Sequence, residues 1–586
     1  MESAPEPQIK IEDIKQEENA PVEGPIEENA PPENDPYAYL DRSDFSSEKF
    51  KIEIKNLPKI YGISEFRKLL NNKLKLNSTK IKAPKRNSPY AFVCFRSDED
   101  RNKAIETLSG FKWKGKPLQA IRAKPSPDPL VKKRKEDSEE GPNKKIKIDN
   151  RSQEEKLKSS TIPLWDVPYE EQLKTKQEEA RNILKRLGNE LARQNPDLRE
   201  WLNKQKEKFD GLPCELLNIR YADECDGYRN KCSFTVGIDE ETKLPTVGFR
   251  IGSYVNGITG VGSIESLKHI PESMKLAVKL FQDYVRASDL QVFNFEVHTG
   301  HFRQLTIRTA QDQIMLVVGI HPQDLSEEKL KVFKNSLIHY FTEGAGKEAK
   351  ITSLYYQKIV KKIAGEDSDG SEHLWGDTHI CETLLGLKFK ISPEAFFQIN
   401  TKGAEILYKS IIELASPTED STVLDVCCGT GTIGLCFAKN CKKVLGIEIV
   451  PQAIIDAKAN AKLNEIENSE FFEGKAEEIL GSVCYRAMGD VVAVVDPPRA
   501  GLQQKAVVQI RKINKIGQLV YVSCNPAAAL KNFIDIGRPA SKTLHNEPLV
   551  PVRAVVVDMF PHTRHCELII SFKRFDKLLI VDSDSK

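Results

Sequence analysis

Thr422-Val423-Leu424-Asp425-Val426-Cys427-Cys428-Gly429-Thr430-Gly431-Thr432-Ile433-Gly434 reads as a buried strand, a tight turn and the start of a helix. Gly429, Gly431 and Gly434 satisfy the G-x-G-x-x-G spacing, in which glycines let the backbone turn sharply and approach a ligand. Taken alone, this pattern suits a dinucleotide as readily as another nucleotide-like cofactor. Glu448 ends the next strand-like run, Val444-Leu445-Gly446-Ile447, where an acid can take ribose hydroxyls in either kind of site. Asp425 separates the two. A carboxylate beside a pyrophosphate is repulsive, whereas S-adenosylmethionine carries a sulfonium and an ammonium and no phosphate. On charge grounds the turn favours S-adenosylmethionine.

Three further segments follow in order. Val491-Val492-Ala493-Val494-Val495-Asp496 is a wholly apolar strand ending in an acid, and Pro497-Pro498-Arg499 then forces a rigid extended turn. Leu519-Val520-Tyr521-Val522 is a second apolar strand, running into Ser523-Cys524-Asn525-Pro526. Met559-Phe560-Pro561-His562-Thr563-Arg564-His565-Cys566-Glu567 leads into a last strand, Leu568-Ile569-Ile570-Ser571-Phe572. The order predicts a multidomain α/β chain with a C-terminal Rossmann-like domain, with Cys524 at the carboxyl edge of its sheet, where open α/β folds bind ligands. A thiolate there is a soft nucleophile that adds to electron-poor double bonds. Glu567 is open to two readings, a surface residue or a group facing Cys524. His565-Cys566-Glu567 contains the H-x-E of zinc deaminases, but no P-C-x-x-C completes that metal site, so no metal is expected.

The chain has 586 residues, enough for about three or four domains. Its formal charge of +2 nearly cancels, with the signs segregated along the sequence. Twelve cysteines without a C-x-x-C pair look reduced and intracellular. No apolar run approaches the ~20 residues of a membrane span, and Glu2 and Glu6 stand where a presequence would be basic or apolar.

The composition divides the chain into an acidic tail expected to be disordered (1–46), a compact patterned stretch (47–124), a basic linker (125–160), a helical segment (161–210), a central α+β domain (211–390), the cofactor-binding domain (391–575) and a terminal tail (576–586). The 47–124 stretch alternates strand, helix, strand, strand, helix, strand and resembles the RNA recognition motif. Tyr90 and Phe92 fall on two base-stacking positions of its longer signature, while Glu53 stands where the shorter one has an aromatic. An alternative use of this sheet is protein contact. Basic clusters at 132–135 and 144–147 resemble a bipartite nuclear localisation signal, which implies an import receptor as partner and residence in nucleus and cytosol. Arg229, Lys231, Arg250, Arg303 and Arg308 give the central domain a basic character suited to a polyanion.

Together these segments, with Ser392-Pro393-Glu394-Ala395-Phe396-Phe397-Gln398-Ile399-Asn400, resemble the tRNA (uracil-5-)-methyltransferase family over roughly 210–574. The recognition-motif stretch ahead of this body resembles the eukaryotic A-type branch. The resemblance implies an S-adenosylmethionine-dependent enzyme acting on RNA, most simply the T-loop uridine of tRNA. It implies cofactor contacts from Gln398, Glu448 and Asp496 and from the backbone of the turn at Cys427, Gly429, Gly431 and Thr432. Cys524 would be the nucleophile, Glu567 the base, and Tyr90, Phe92 and Arg499 RNA contacts. Cys427 departs from the family, many of whose members carry an aromatic there. Cys214, Cys225 and Cys232 lack the spacing of the iron–sulfur set of the rRNA-modifying branch, so no cluster is expected and the tRNA branch is favoured. The alternatives are an RNA-binding or tRNA-folding protein with secondary catalysis, and a methyltransferase for exocyclic or protein nitrogens. The second leaves a thiol nucleophile without a task.

Overall fold

The computed structural model describes residues 49–58, 61–84, 88–125, 151–252, 260–295, 298–360, 370–576 and 578. The acidic tail, the basic clusters at 132–135 and 144–147 and residues 579–586 lie outside them. The chain divides into two units, Met1–Lys144 and Lys145–Lys586.

In the first unit a four-stranded antiparallel sheet runs in the order Lys80–Lys82, Ala91–Cys94, Lys51–Lys55, Gln119–Arg122. Ile52, Ile54, Ala91 and Val93 alternate inward onto Phe66, Leu70, Ala104 and Leu108. Phe92 is on the other face, its ring 5.8 Å from that of Tyr90. Glu53 lies opposite Phe92 in the register. Its carboxylate stands 3.8 Å from Lys55, and the Lys51 ammonium lies over the Phe92 ring. The acid that replaces an aromatic is therefore partly neutralised, and one stacking pair remains.

In the second unit the C-terminal sheet runs Ser469–Glu473, Lys443–Glu448, Thr422–Val426, Val491–Val495, Ile516–Ser523, Glu567–Arg574, Leu549–Asp558, Glu215–Leu216. The first five strands are parallel, and Glu567–Arg574 is antiparallel to both neighbours. Ala493 and Val495 point into one core while Val492 and Val494 point into the other, which is why this strand reads as an unbroken apolar run. The strand order reverses between Thr422–Val426 and Val491–Val495, the place where such sheets open a ligand crevice.

The central domain is a seven-stranded, mainly antiparallel sheet ordered Val261–Gly262, Pro245–Arg250, Lys231–Ile238, Phe302–Ala310, Gln313–Ile320, Ser353–Lys358, Glu372–Gly376. The helices Glu272–Ala287 and Glu327–Thr342 bury Phe281, Phe333 and Leu337 in its core. Among the described residues no helix is long and apolar enough to cross a membrane.

The boundaries expected at 160 and 211 do not follow these sheets. A helix, Gln153–Thr161, already starts inside the expected linker on a Ser152/Glu155 capping box, and Leu157 belongs to the central core. The helix Tyr169–Gln194 packs Ala180, Leu184, Leu187 and Leu191 into the core of the C-terminal sheet. Glu215–Leu216 and Arg220–Tyr221 pair with Leu549–Asp558. An apolar helix stripe and an uncovered sheet edge both need partners, and here the partners lie hundreds of residues away. The central sheet is thus inserted into the C-terminal domain, between Tyr221 and Ile380.

Candidate active site

At the carboxyl edge of the C-terminal sheet the chain assembles four acids and a thiol. Asp425 is next to last in Thr422–Val426, Glu448 ends Lys443–Glu448, Asp496 follows Val491–Val495, and Cys524 follows Ile516–Ser523. Because the last strand runs antiparallel, its first residue, Glu567, arrives at the same edge. Ser523 is paired with Leu568, so Cys524 and Glu567 are neighbours across adjoining strands.

The cofactor turn needs its glycines at specific points. Gly429 and Gly431 have φ of 53° and 79°, the left-handed region that glycine adopts without strain. Cys427 adopts φ 68° with a side chain. A Cβ on Gly434 would lie 2.9 Å from Asp425 Oδ2, and the Gly434 N–H donates to that oxygen at 2.8 Å. Glu448 Oε2 accepts from the Gly429 N–H at 3.1 Å, and its Oε1 accepts from Ile449 and Val450 at 2.8 and 3.0 Å. Glu448 therefore orders the turn as well as presenting an acceptor. Thr432 opens the short helix Thr432–Phe437, and its hydroxyl is engaged with Tyr408 at 3.0 Å, leaving the backbone as its offer to a ligand.

Two of the acids at this edge, Asp425 and Glu567, are buried and under-satisfied. Asp425 is fully buried, and burial lifts its carboxyl to about 7, with Asp496 and Glu448 adding to the rise against the Gly434 N–H. Burial likewise raises Asp496. Glu567 is 4% exposed and stands well above the ordinary carboxylate range through burial and then Asp496, opposed by Arg499. Among the described residues, Asp425 Oδ1 and Glu567 Oε2 have no hydrogen-bond partner. Acids so placed are costly unless a positive ligand and additional donors complete them. A sulfonium with an ammonium meets that requirement, so the residues fit S-adenosylmethionine.

Cys524 is half-buried, and its thiol is pushed up to about 11 by burial, then by Glu567 and Asp496, while Arg499 pulls it down. Arg499 is exposed on the turn after Pro497-Pro498, and its charge pulls down both the Cys524 thiol and the Glu567 carboxyl. A cleft of ≈ 180 Å³ opens beside Cys524, with Arg564 and His565 on one side and Glu179, Ala180 and Ile183 of the Tyr169–Gln194 helix on the other.

Gln398 is held from the central domain. Asn230 Nδ2 donates to the Gln398 carbonyl at 3.0 Å and to Thr401 Oγ1 at 2.9 Å, and Arg308 Nη2 donates to the Ala395 carbonyl at 2.7 Å. Asn400 donates to the Met559 carbonyl at 3.2 Å, tying the same loop to the segment before Glu567. The sequence reading missed Asn230 and the polar positions Tyr169, Gln172 and Lys176. The three helix positions carry a signal, a polar line within the otherwise apolar stripe of their helix, whereas Asn230 lies on a loop and carries none. Tyr90 and Phe92 lie in the first unit, and Cys524, Glu567, Gln398, Glu448 and Asp496 in the second.

Two other cysteine groupings lie elsewhere in the second unit. Cys214 packs in the core of the C-terminal domain and Cys232 in that of the central domain, so with Cys225 they do not form one ligand set. Cys225, Asp226 and His562 converge within 4.8 Å. His562 Nδ1 faces Gln172 Nε2 at 3.3 Å, and that amide is fixed because its oxygen accepts from the His562 N–H at 2.8 Å. His562 Nε2 lies 2.7 Å from Asp226 Oδ1, so both ring nitrogens already face polar neighbours.

The family model for tRNA (Uracil-5-)-methyltransferase matches residues 384–574, and that for the RNA recognition motif matches 52–119. The chain is 42% identical to the tRNA (uracil-5-)-methyltransferase homolog A of Mus musculus, over 92% of this chain and 87% of that protein. It is 40% identical to homolog A of Homo sapiens, over 97% and 88%. Homolog B of Homo sapiens is 39% identical over 72% and 84%. Among solved structures, a Pyrococcus abyssi tRNA (uracil-54, C5)-methyltransferase in complex with S-adenosyl-L-homocysteine aligns with a TM-score of 0.49 at 23% identity, over 69% of this chain and 83% of that one.

Proposed function

Since the chain belongs to the tRNA (uracil-5-)-methyltransferase family, we propose that it methylates C5 of the T-loop uridine of tRNA through a covalent bond between Cys524 and C6 of that base. The observation that carries this reading is the juxtaposition of Cys524 and Glu567 on adjoining strands, at the edge that also holds the buried Asp425.

Gln398, Glu448, Asp496 and the backbone of the 427–432 turn would hold S-adenosylmethionine, which would supply an electrophilic methyl group, its sulfur keeping the electron pair of the broken S–CH3 bond as the neutral thioether leaves. C5 of uracil is too weak a carbon nucleophile to take that group unaided. The Cys524 thiolate forms the S–C6 bond, and the C5=C6 electron pair moves toward C5 and O4 as an enolate. After C5 is methylated, Glu567 accepts the C5 proton. The C–H pair re-forms C5=C6 and expels the thiolate. Neither face of a stacked base can be reached in this way, so the target must be flipped out. Arg499, which lowers the thiol pKa, favours the reactive form.

The buried acids make cofactor binding a protonation event. An unfolded Asp425 ionises near 3.8 and the folded one at about 7, so the folded protein retains a proton over that interval. In the absence of cofactor this contribution to stability is fully present below about pH 4 and is lost as pH rises to about 7. A cationic ligand lowers the folded value again. The rise in Tm on adding S-adenosylmethionine should therefore be larger at pH 8 than at pH 6, with the difference reduced in Asp425→Asn. A thermal shift independent of pH in the native chain would contradict this electrostatic account of the site.

Loop specificity is tested with RNA alone. An isolated T-arm hairpin should be methylated, because its target base is flipped at lower cost than in folded tRNA, and a U→C change at the target should abolish product. Equal labelling of unstructured uridine-rich RNA would reduce the reading to a general uracil methyltransferase. Deleting residues 1–124 removes the Tyr90/Phe92 stacking pair but no catalytic side chain. RNA affinity should fall, with turnover at saturating RNA maintained. Unchanged affinity on a filter-binding curve would assign the recognition motif to another partner.

A further inference from the structure

The connection between Asp558 and Glu567 is held by one face of a helix that precedes it by almost four hundred residues. Tyr169, Gln172 and Lys176 sit at i, i+3 and i+7 of the Tyr169–Gln194 helix and so project from one side. Lys176 Nζ donates to Asp558 Oδ1 at 2.7 Å and to the Phe560 carbonyl at 3.2 Å. The Tyr169 hydroxyl donates to Asp558 Oδ2 at 3.0 Å, and Asp558 Oδ1 also accepts from the Phe560 N–H at 3.0 Å. Gln172 Oε1 accepts from the His562 N–H, and its Nε2 donates to the carbonyls of Leu164 and Val167. The Leu164 N–H in turn donates to the His562 carbonyl at 2.9 Å. His562 itself adopts φ 64°, a left-handed conformation that the surrounding bonds hold in place.

Gln172 and Lys176 are each 1% exposed and Asp558 is 0% exposed. Stability alone does not call for such a network, since apolar residues of similar volume commonly serve as well or better. What a fully satisfied polar network adds is a single geometry. Here that geometry belongs to the turn that delivers Glu567 to the site. The same helix contributes Glu179, Ala180 and Ile183 to the wall of the cleft beside Cys524.

We propose that the Tyr169/Gln172/Lys176 face of this helix positions the catalytic base, fixing the 558–566 turn so that Glu567 meets the C5 proton of the covalently bound base. The proposal rests on the reading of Glu567 as that base. These are positioning residues, and they touch neither substrate nor cofactor.

The test compares Lys176→Met, Tyr169→Phe and Glu567→Gln with the native full-length enzyme. Each is incubated with S-adenosylmethionine and tRNA, and covalent RNA–protein adduct is read on a denaturing gel. RNA affinity, KM for the cofactor, kcat and Tm are measured alongside. Misplacing a base by about an ångström costs on the order of 10²-fold. Lys176→Met should lose about that much kcat, and Tyr169→Phe about tenfold, both with little change in KM and both accumulating adduct as Glu567→Gln does. A helix that only stabilised the fold would lower Tm and active fraction without trapping the adduct. Should Lys176→Met fail to fold, Tyr169→Phe, which removes one hydroxyl, decides. Adduct in Glu567→Gln but not in the folded helix variants overturns this inference alone. Adduct in none of them overturns the assignment of Glu567, and this inference with it.

Discussion

Cys524→Ala is expected to abolish methyl transfer, with a loss on the order of 10⁴-fold or more, as follows when a nucleophile is removed from a covalent mechanism. The substitution takes away one sulfur from a half-buried position and no hydrogen bond that orders the cofactor turn, so cofactor and RNA affinity should stay within about twofold. The measurement is product formation with labelled S-adenosylmethionine beside a binding curve for each ligand. Turnover within about tenfold of the native enzyme would end the covalent mechanism, because general base and binding terms alone would then suffice.

Glu567→Gln should produce a different failure. Glutamine keeps the shape but cannot accept a proton, so the S–C6 bond forms, C5 is methylated and the C5 proton stays on. Turnover should fall by about 10²- to 10⁴-fold, the usual contribution of a general base, while a slow-migrating RNA–protein band accumulates. The substitution also removes a carboxylate that raises the Cys524 thiol, so the first step should not suffer. An inactive enzyme that never traps RNA would give Glu567 another role.

Much of this site was legible in the sequence because its residues sit at strand ends. Apolar runs identify the strands, and the residue following each run falls at the edge. This located Asp425, Glu448, Asp496 and Cys524 before any coordinates. Glu567 was less determinate, since the antiparallel sense of the last strand, which brings its first residue to that edge, is a property of pairing. The charge argument from Asp425 pointed to the right kind of cofactor but was incomplete. The carboxylate also receives the Gly434 N–H, and burial lifts its pKa to about 7. The partition into domains was the least legible part. Local composition reports helices and strands, but it does not report that Glu215–Leu216 completes a sheet whose other strands follow the central domain. Asn230 was invisible for the same reason, and the polar line of Tyr169, Gln172 and Lys176 does not say which loop, far along the chain, it holds.

The insertion of the central domain has a consequence for how the protein is made. The Tyr169–Asp558 bond joins residues 389 positions apart, and Glu215 meets Arg553 across 338. A ribosome adds about 5–20 residues per second, so the N-terminal helix emerges roughly 20–80 s before the strand it must cover. Meanwhile Leu184, Leu187 and Leu191 have no native partner in the C-terminal sheet, and the central sheet can close on itself first. Closure of the catalytic core is thus a late, high-contact-order event. The apolar face of that helix therefore stays uncovered throughout that interval, longer than any other apolar surface of the C-terminal core that precedes the central domain.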